Sequence, residues 1–134
     1  MSEISLKSQE NLNSGIILKK NKFYSSSIHC FYYSCVQIMI HILLTSLHKQ
    51  ETEIETESRN SGSTFHNWLI NKIYTEHRKI NRNKSLQFQR KIYKLKRIRV
   101  ESDYKNIRVD YNKCDKSEKI AKEILNILNK DFSL

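Results

Sequence analysis

The chain has 134 residues, a formal net charge of +10, two glycines and no proline. Because proline and glycine interrupt helices, this composition favours long helices and excludes a turn-rich β fold. The length suits one domain with a sizeable core, and a hydrophobic fraction of 38% excludes disorder of the whole chain. We therefore predict a single all-α domain over residues 1–134, an antiparallel bundle of about five helices.

The positive charge lies in one contiguous third of the chain. Lys72 to Arg108 contains thirteen Lys or Arg and three acids, whereas the remaining residues contain eleven of each. Such a segment attracts the phosphate groups of nucleic acid or of a membrane surface. The alternative is a solvated basic helix that serves only solubility.

The three cysteines, Cys30, Cys35 and Cys114, form no C-x-x-C pair and leave one thiol over. That number favours a reducing cytoplasm over a disulfide scaffold. The N-terminal residues also lack the pattern of a secretory signal, so we predict a cytoplasmic protein. The spacing of Cys30 and Cys35 relative to His29 and His41 matches no standard zinc pattern, and we predict neither a metal nor a cofactor.

Two helices are predicted before residue 50. The first covers Ser2 to about Lys20, and after a break at residues 21–22 the second runs from Tyr24 to about His48. The second helix is apolar nearly all round, which is typical of the centre of a bundle or of a subunit contact. Because polar residues interrupt its most apolar run, we expect a buried core helix and no membrane partner.

Residues 49–63 are predicted to form an acidic mobile loop. Four glutamates alternate with threonine and isoleucine before a cluster of serine, asparagine and glycine. The alternation is also compatible with a strand, but the acidic composition and the lack of a partner strand favour a loop.

Three more helices are predicted over Thr64 to about Arg78, about Ser85 to Asp103, and a last segment that ends at about Lys130. Ser63 or Thr64 can cap the first of them. Asp115, with Glu118 three residues on, resembles a capping box at the start of the last one.

The fourth predicted helix carries the candidate site. Its apolar residues Phe88, Ile92 and Leu95 recur at helical spacing, and the next positions of that stripe are Arg99 and Asp103. An ordinary ion pair at this spacing contributes only about 0.3–0.5 kcal/mol when exposed. The functional alternative is that Arg99 holds a phosphate with two hydrogen bonds.

In that functional interpretation, Asp103 orients Arg99 or takes a proton, and Tyr104 supplies a hydroxyl. We therefore predict Arg99, Asp103 and Tyr104 as catalytic residues. The surrounding cations are predicted to bind nucleic acid; they are Lys91, Lys94, Lys96 and Arg97. The five histidines are scattered, and nothing in the sequence pairs one of them with a nucleophile.

Two stretches together resemble the HEPN family. The tyrosine-rich YSSSIHCFYY, Tyr24 to Tyr33, resembles its second helix, and RVESDY, Arg99 to Tyr104, resembles the R-x-x-(small)-D-Y motif of one HEPN branch. The resemblance implies an all-α homodimer in which the two motifs face each other across a cleft. Many HEPN proteins are metal-independent ribonucleases that act as toxins or in phage defence, often beside a nucleotidyltransferase.

The ribonuclease form of the family has a histidine shortly after the motif arginine, but this chain has none between Arg78 and its C-terminus. Two hypotheses follow from the resemblance. In the first, a cytoplasmic homodimer binds RNA in a basic cleft and can cleave it, with Arg99 stabilising the charged transition state and Asp103 or Tyr104 assisting proton transfer. In the second, a non-catalytic module binds a nucleotide or a nucleotidyltransferase partner, with Tyr104 as a modification target. A third hypothesis is a basic helix that binds DNA or an anionic membrane.

Overall fold

The computed structural model describes residues 2–134, and within this range the chain forms six helices and no strand. The helices are α1 (Glu3–Lys20), α2 (Tyr24–Thr45), α3 (Glu51–Asn60), α4 (Phe65–Ile80), α5 (Arg82–Tyr104) and α6 (Tyr111–Asp131). The prediction of an all-α bundle is confirmed, with six helices where about five were expected.

Helix α2 lies at the centre of the bundle and packs against α1, α4, α5 and α6. Its best 18-residue window has a mean hydropathy of 1.4, so by length and composition alone it could span a membrane. In the structure, 61% of that window is buried inside the bundle. Phe31, Tyr32 and Met39 are fully buried, which makes α2 the core helix that its apolar pattern predicts.

Helix α1 approaches α2 closely because small residues line their contact. Ser8 donates a hydrogen bond of 2.7 Å to the carbonyl of Ser34, and Ser27 donates one of 2.6 Å to the carbonyl of Gly15. A Cβ atom at Gly15 would lie only 2.5 Å from a ring carbon of Phe31. The glycine is therefore required by the packing of Phe31 rather than by the turn that follows α1.

Gly15→Ala is expected to destabilise the protein by up to about 2 kcal/mol. Alanine gains up to about 1 kcal/mol of helix propensity, but overpacking a well-filled contact costs typically about 1–3 kcal/mol. Urea unfolding of Gly15→Ala against Asn13→Ala, an exposed position on the same helix, measures the difference. A Gly15→Ala protein more stable than wild type would show that α1 can move away from Phe31.

The prediction of a loop over residues 49–63 is wrong for residues 51–60, which form α3. A capping box begins this helix, since Gln50 and Glu53 bond each other's backbone amides. Ile54 is 6% exposed, and Lys49 pairs with Glu57 at 2.6 Å. One buried side chain and a favourable N-terminus therefore suffice for a helix that packs against α4.

Two helix starts also differ from the prediction. Asn81 alone separates α4 from α5, and its side chain accepts a hydrogen bond from the amide of Lys84, so α5 begins at Arg82. Asp110 caps α6 in the same way at Lys113. The predicted cap, Asp115, lies inside α6 and pairs with Lys19 of α1 at 2.6 Å.

Candidate functional site

Arg99 lies on α5 and is buried, with only 7% of its surface exposed. Its guanidinium carbon lies 5.0 Å from the ring centre of Tyr32 and 5.6 Å from that of Tyr33, both on α2. Aromatic faces attract cations, so these two rings explain how a charged residue occupies a buried position of the apolar stripe. Among the described residues, its buried Nε atom has no hydrogen-bond partner.

Asp103 is the carboxylate beside Arg99, as the helical spacing predicts. Its Oδ2 atom lies 3.5 Å from Nη1 of Arg99, a long contact, and its side chain is 19% exposed. The same oxygen lies 2.9 Å from Nδ1 of His29 on α2. A cation and an imidazole therefore meet at a single carboxylate oxygen.

The sequence prediction missed His29. Its side chain is 48% exposed, and its ring packs on Tyr33 with a centre-to-centre distance of 4.6 Å. Because Nδ1 meets Asp103, the other ring nitrogen is the one available to a ligand. His29 and Asp103 are 74 positions apart, and the only signal was that His29 lies within the tyrosine-rich stretch of α2.

His66 of α4 is the second histidine that the fold brings to Arg99. Its Nδ1 atom and the hydroxyl of Tyr32 are 2.9 Å apart. Burial lowers the pKa of His66, and the charges of Arg99 and Lys96 lower it further. Burial raises the pKa of the Tyr32 hydroxyl, against the opposing effect of Arg99. Near neutral pH this pair is uncharged and positions the rings around Arg99.

We call the group formed by these residues the Arg99 cluster; its members are His29, Tyr32, Tyr33, His66, Arg99 and Asp103. Three helices contribute to it, with α2 supplying three of the six side chains. Only Arg99 and Asp103 of the cluster lie on α5, whereas His29 comes from α2 and His66 from α4.

The lowered pKa of His66 predicts that stability falls as the pH is lowered. An unfolded histidine has a pKa near 6.5 and takes up its proton before the folded one does, so acid favours unfolding from about pH 6.5 downward. Urea unfolding at pH 7.5 and 5.5 measures this loss, which is expected to be smaller in His66→Gln than in wild type. An equal loss in both proteins would contradict the assignment to His66.

A groove of about 300 Å³ lies beside the cluster, between the start of α2 and the end of α5. Its lining residues are Ser25, Ser26, His29, Cys30, Ser102 and Asp103. The first turn of α2 has no acidic residue and no side-chain cap, so its amides and helix dipole give the groove a positive end. Hydroxyls, an imidazole, a thiol and the carboxylate of Asp103 line it, and Arg99, the partner of Asp103, is not part of its wall.

The other predicted site residues are distributed unevenly. Tyr104 ends α5 with 77% of its surface exposed, on the outside of the bundle. Lys91 pairs with Glu123 of α6. Lys94 is exposed, and the nearby ammonium of Lys116 lowers its pKa. Arg97 is exposed. None of these four side chains is part of the Arg99 cluster.

Lys96 is the predicted cation that lies nearest to the cluster. Its Nζ atom donates a hydrogen bond of 2.5 Å to Oδ1 of Asn67 on α4. Burial lowers the pKa of Lys96, and the charge of Arg99 lowers it further. Lys96 and Arg99 therefore lie in one partly buried region, in which Asp103 is the carboxylate that pairs with Arg99. This arrangement of charge favours an anionic ligand.

Within residues 2–134, no three His, Cys, Asp or Glu side chains come together in a group that could hold a metal ion. Comparison with known proteins gives no family: no family model, no curated protein and no solved structure matches the chain. The HEPN resemblance therefore rests on the two stretches Tyr24 to Tyr33 and Arg99 to Tyr104.

Proposed function

We propose that this chain is a HEPN-type RNA-binding protein that cleaves RNA without a metal ion. The observation that carries the proposal is the meeting of Arg99 and His29 at one oxygen of Asp103, at 3.5 Å and 2.9 Å. An arginine for phosphate charge and an oriented imidazole for proton transfer are the groups that such cleavage needs. His29 supplies the imidazole that the α5 motif itself lacks.

The charge around Arg99 supports phosphate binding. Its buried Nε atom has no partner among residues 2–134, and its contact with Asp103 is long. A bound phosphate oxygen would complete hydrogen bonds that Asp103 leaves unmade. The excess of ten positive charges between Lys72 and Arg108 attracts the polyanion to this side of the molecule.

The proposed reaction is attack of a ribose 2′-hydroxyl on the neighbouring phosphorus. The 2′-oxygen–phosphorus bond forms as the phosphorus–5′-oxygen bond breaks, which leaves a 2′,3′-cyclic phosphate and a 5′-hydroxyl. His29 accepts the 2′ proton through its exposed ring nitrogen while Asp103 holds Nδ1, and water supplies the proton for the leaving oxygen. Arg99 stabilises the charge on the phosphate.

A decisive test uses two matched histidine variants. Purified protein is incubated with structured and single-stranded RNA in EDTA, and cyclic phosphate ends are quantified. Wild type should cleave, and His29→Asn should be slower by a factor of about 10²–10⁴, the usual contribution of a general base. His48→Asn, at an exposed histidine in the turn after α2, should match wild type. Equal rates in all three proteins, or no cleavage by wild type, would contradict the enzyme proposal.

The second candidate is a non-catalytic HEPN module that binds a nucleotide or a nucleotidyltransferase partner. The observation that favours it is the burial of Arg99 against two tyrosine rings, which restricts its access to a scissile phosphate. Tyr104, 77% exposed at the end of α5, is accessible to a modifying enzyme. Salt-sensitive RNA or nucleotide binding without cleavage would support this module over the enzyme.

The cellular setting follows from the resemblance and is part of the same proposal. A homodimer would bring two Arg99 clusters together, and the protein would act in the cytoplasm as a toxin or phage-defence component. Sedimentation of the purified protein gives the oligomeric state, and a monomer at micromolar concentration would contradict the dimer.

A further inference from the structure

We propose that RNA is bound as an unpaired single strand whose bases stack on an aromatic platform at the start of α4. The platform consists of Phe65 and Trp68, with Asn67 and Lys96 as its polar side. This inference rests on the proposed function and names the form of RNA that the Arg99 cluster receives.

The two platform rings are paired and partly exposed. Their centres are 6.1 Å apart with an angle of 32° between the planes. Phe65 is 36% exposed, whereas Trp68 is half-buried and packs on the hydrophobic core beneath it. Thr64 caps the helix by accepting a hydrogen bond from the amide of Asn67, so the rings stand on a well-formed helix end.

The charge of this surface suits a polyanion. No acidic residue occurs between Phe65 and Thr75 of α4 or between Arg82 and Val100 of α5. Lys96 reaches the platform through its hydrogen bond to Asn67, and Lys72 lies one helical turn after Trp68. Aromatic rings beside cations are the standard means of binding single-stranded nucleic acid.

The platform connects directly to the Arg99 cluster. The ring of His66 is 6.0 Å from Phe65 and 5.6 Å from Tyr33, and Tyr33 in turn lies beneath the guanidinium of Arg99. A strand with one base on Phe65 therefore has its next phosphates beside Arg99, Asp103 and His29. Base stacking on the platform would select which phosphate reaches the cluster.

The platform discriminates between forms of RNA because only unpaired bases expose their faces. In an A-form duplex the bases are stacked on each other, and proteins contact mainly phosphates and 2′-hydroxyls. The aromatic pair thus adds to the affinity for single strands and not to the affinity for duplexes.

Trp68 is the only tryptophan, so its fluorescence reports directly on the platform. The probes are a 2′-O-methyl RNA decamer, which lacks the attacking hydroxyl and cannot be cleaved, and the same decamer annealed to its complement. We expect the single strand to quench Trp68 and to bind more tightly than the duplex. Phe65→Leu should weaken single-strand binding about 5- to 150-fold, from about 1–3 kcal/mol per stacked base, and leave duplex binding within about twofold.

Two control variants complete the test. Phe65→Tyr keeps an aromatic face and should restore single-strand affinity, and Tyr111→Leu removes an exposed aromatic residue of α6 without effect. Single-strand affinity unchanged in Phe65→Leu overturns the platform while RNA binding stands. Absence of binding to either probe removes the proposed function itself. If Trp68 fluorescence depends on protein concentration and Phe65→Leu dissociates a dimer, the surface binds a second copy of the chain, and the inference is overturned.

Discussion

Arg99→Ala is expected to reduce RNA cleavage by at least about 10²-fold, the effect of removing one group that stabilises transition-state charge. The truncation also removes the guanidinium that lies over the rings of Tyr32 and Tyr33, and it leaves Asp103 with His29 as its remaining close partner. Initial rates of cyclic phosphate formation, measured beside urea unfolding, separate the loss of chemistry from the loss of stability.

Arg99→Lys makes this separation sharper. Lysine keeps the positive charge but lacks the planar group that lies over both tyrosine rings and can hold phosphate with two bonds. We expect a folded protein that binds RNA and cleaves it poorly. Arg90→Ala is the matched control, since Arg90 is an exposed arginine of the same helix, about 14 Å away at 1.5 Å per residue. Cleavage reduced equally by Arg90→Ala and Arg99→Ala would mean that charge alone, and not the cluster, supports the reaction.

Asp131→Ala is expected to cost about 3 kcal/mol of unfolding free energy, the largest effect outside the site. His77 of α4 is fully buried between Phe88 and Phe132, and its Nε2 atom lies 2.6 Å from Oδ2 of Asp131 at the end of α6. Its Nδ1 atom has no partner within residues 2–134. Removal of Asp131 therefore leaves a buried imidazole with neither nitrogen bonded, which costs the full desolvation of the ring.

A double-mutant cycle tests this account of His77 and Asp131. His77→Phe combined with Asp131→Leu removes both polar groups, so the double variant should lose less stability than the two single variants together. Glu123→Ala is the control, because Glu123 is a half-exposed acid of the same helix and its pair with Lys91 contributes under about 1 kcal/mol. Strict additivity of the two changes would show that His77 and Asp131 do not depend on each other.

Helix boundaries show where local patterns predicted the fold and where they did not. The apolar period of α5 predicted its buried face correctly, because Phe88, Ile92 and Leu95 are all fully buried. The acidic stretch of α3 has one buried side chain, Ile54, too few for a periodic signal. Asp115 has the spacing of a cap, but Asp110 lies earlier and caps α6 first. Two aspartates have the same capping chemistry, and only the geometry of the folded chain decides which of them caps the helix.

The candidate site was predicted in its α5 half alone. Arg99 and Asp103 share a helix face, so their contact follows from helical spacing. His29 contacts Asp103 and His66 contacts Tyr32 because α2 and α4 pack against α5 beside Arg99, and no residue pattern in the sequence encodes that packing. Lys91 and Lys96 look equivalent in the sequence, yet one pairs with Glu123 on α6 and the other bonds Asn67 beside the cluster.

The sequence by itself determined that this protein is helical, that its positive charge lies between Lys72 and Arg108, and that Arg99 and Asp103 are neighbours. The helical content and the charge follow from composition. The contact of Arg99 with Asp103 follows from the 3.6-residue period of a helix, which relates residues one or two turns apart. Only the tertiary structure decided that Arg99 is buried against two tyrosines, that His29 shares the oxygen of Asp103, and that Tyr104 is on the outside. Contacts between residues 74 positions apart arise from how whole helices pack, and that packing is a property of the complete core.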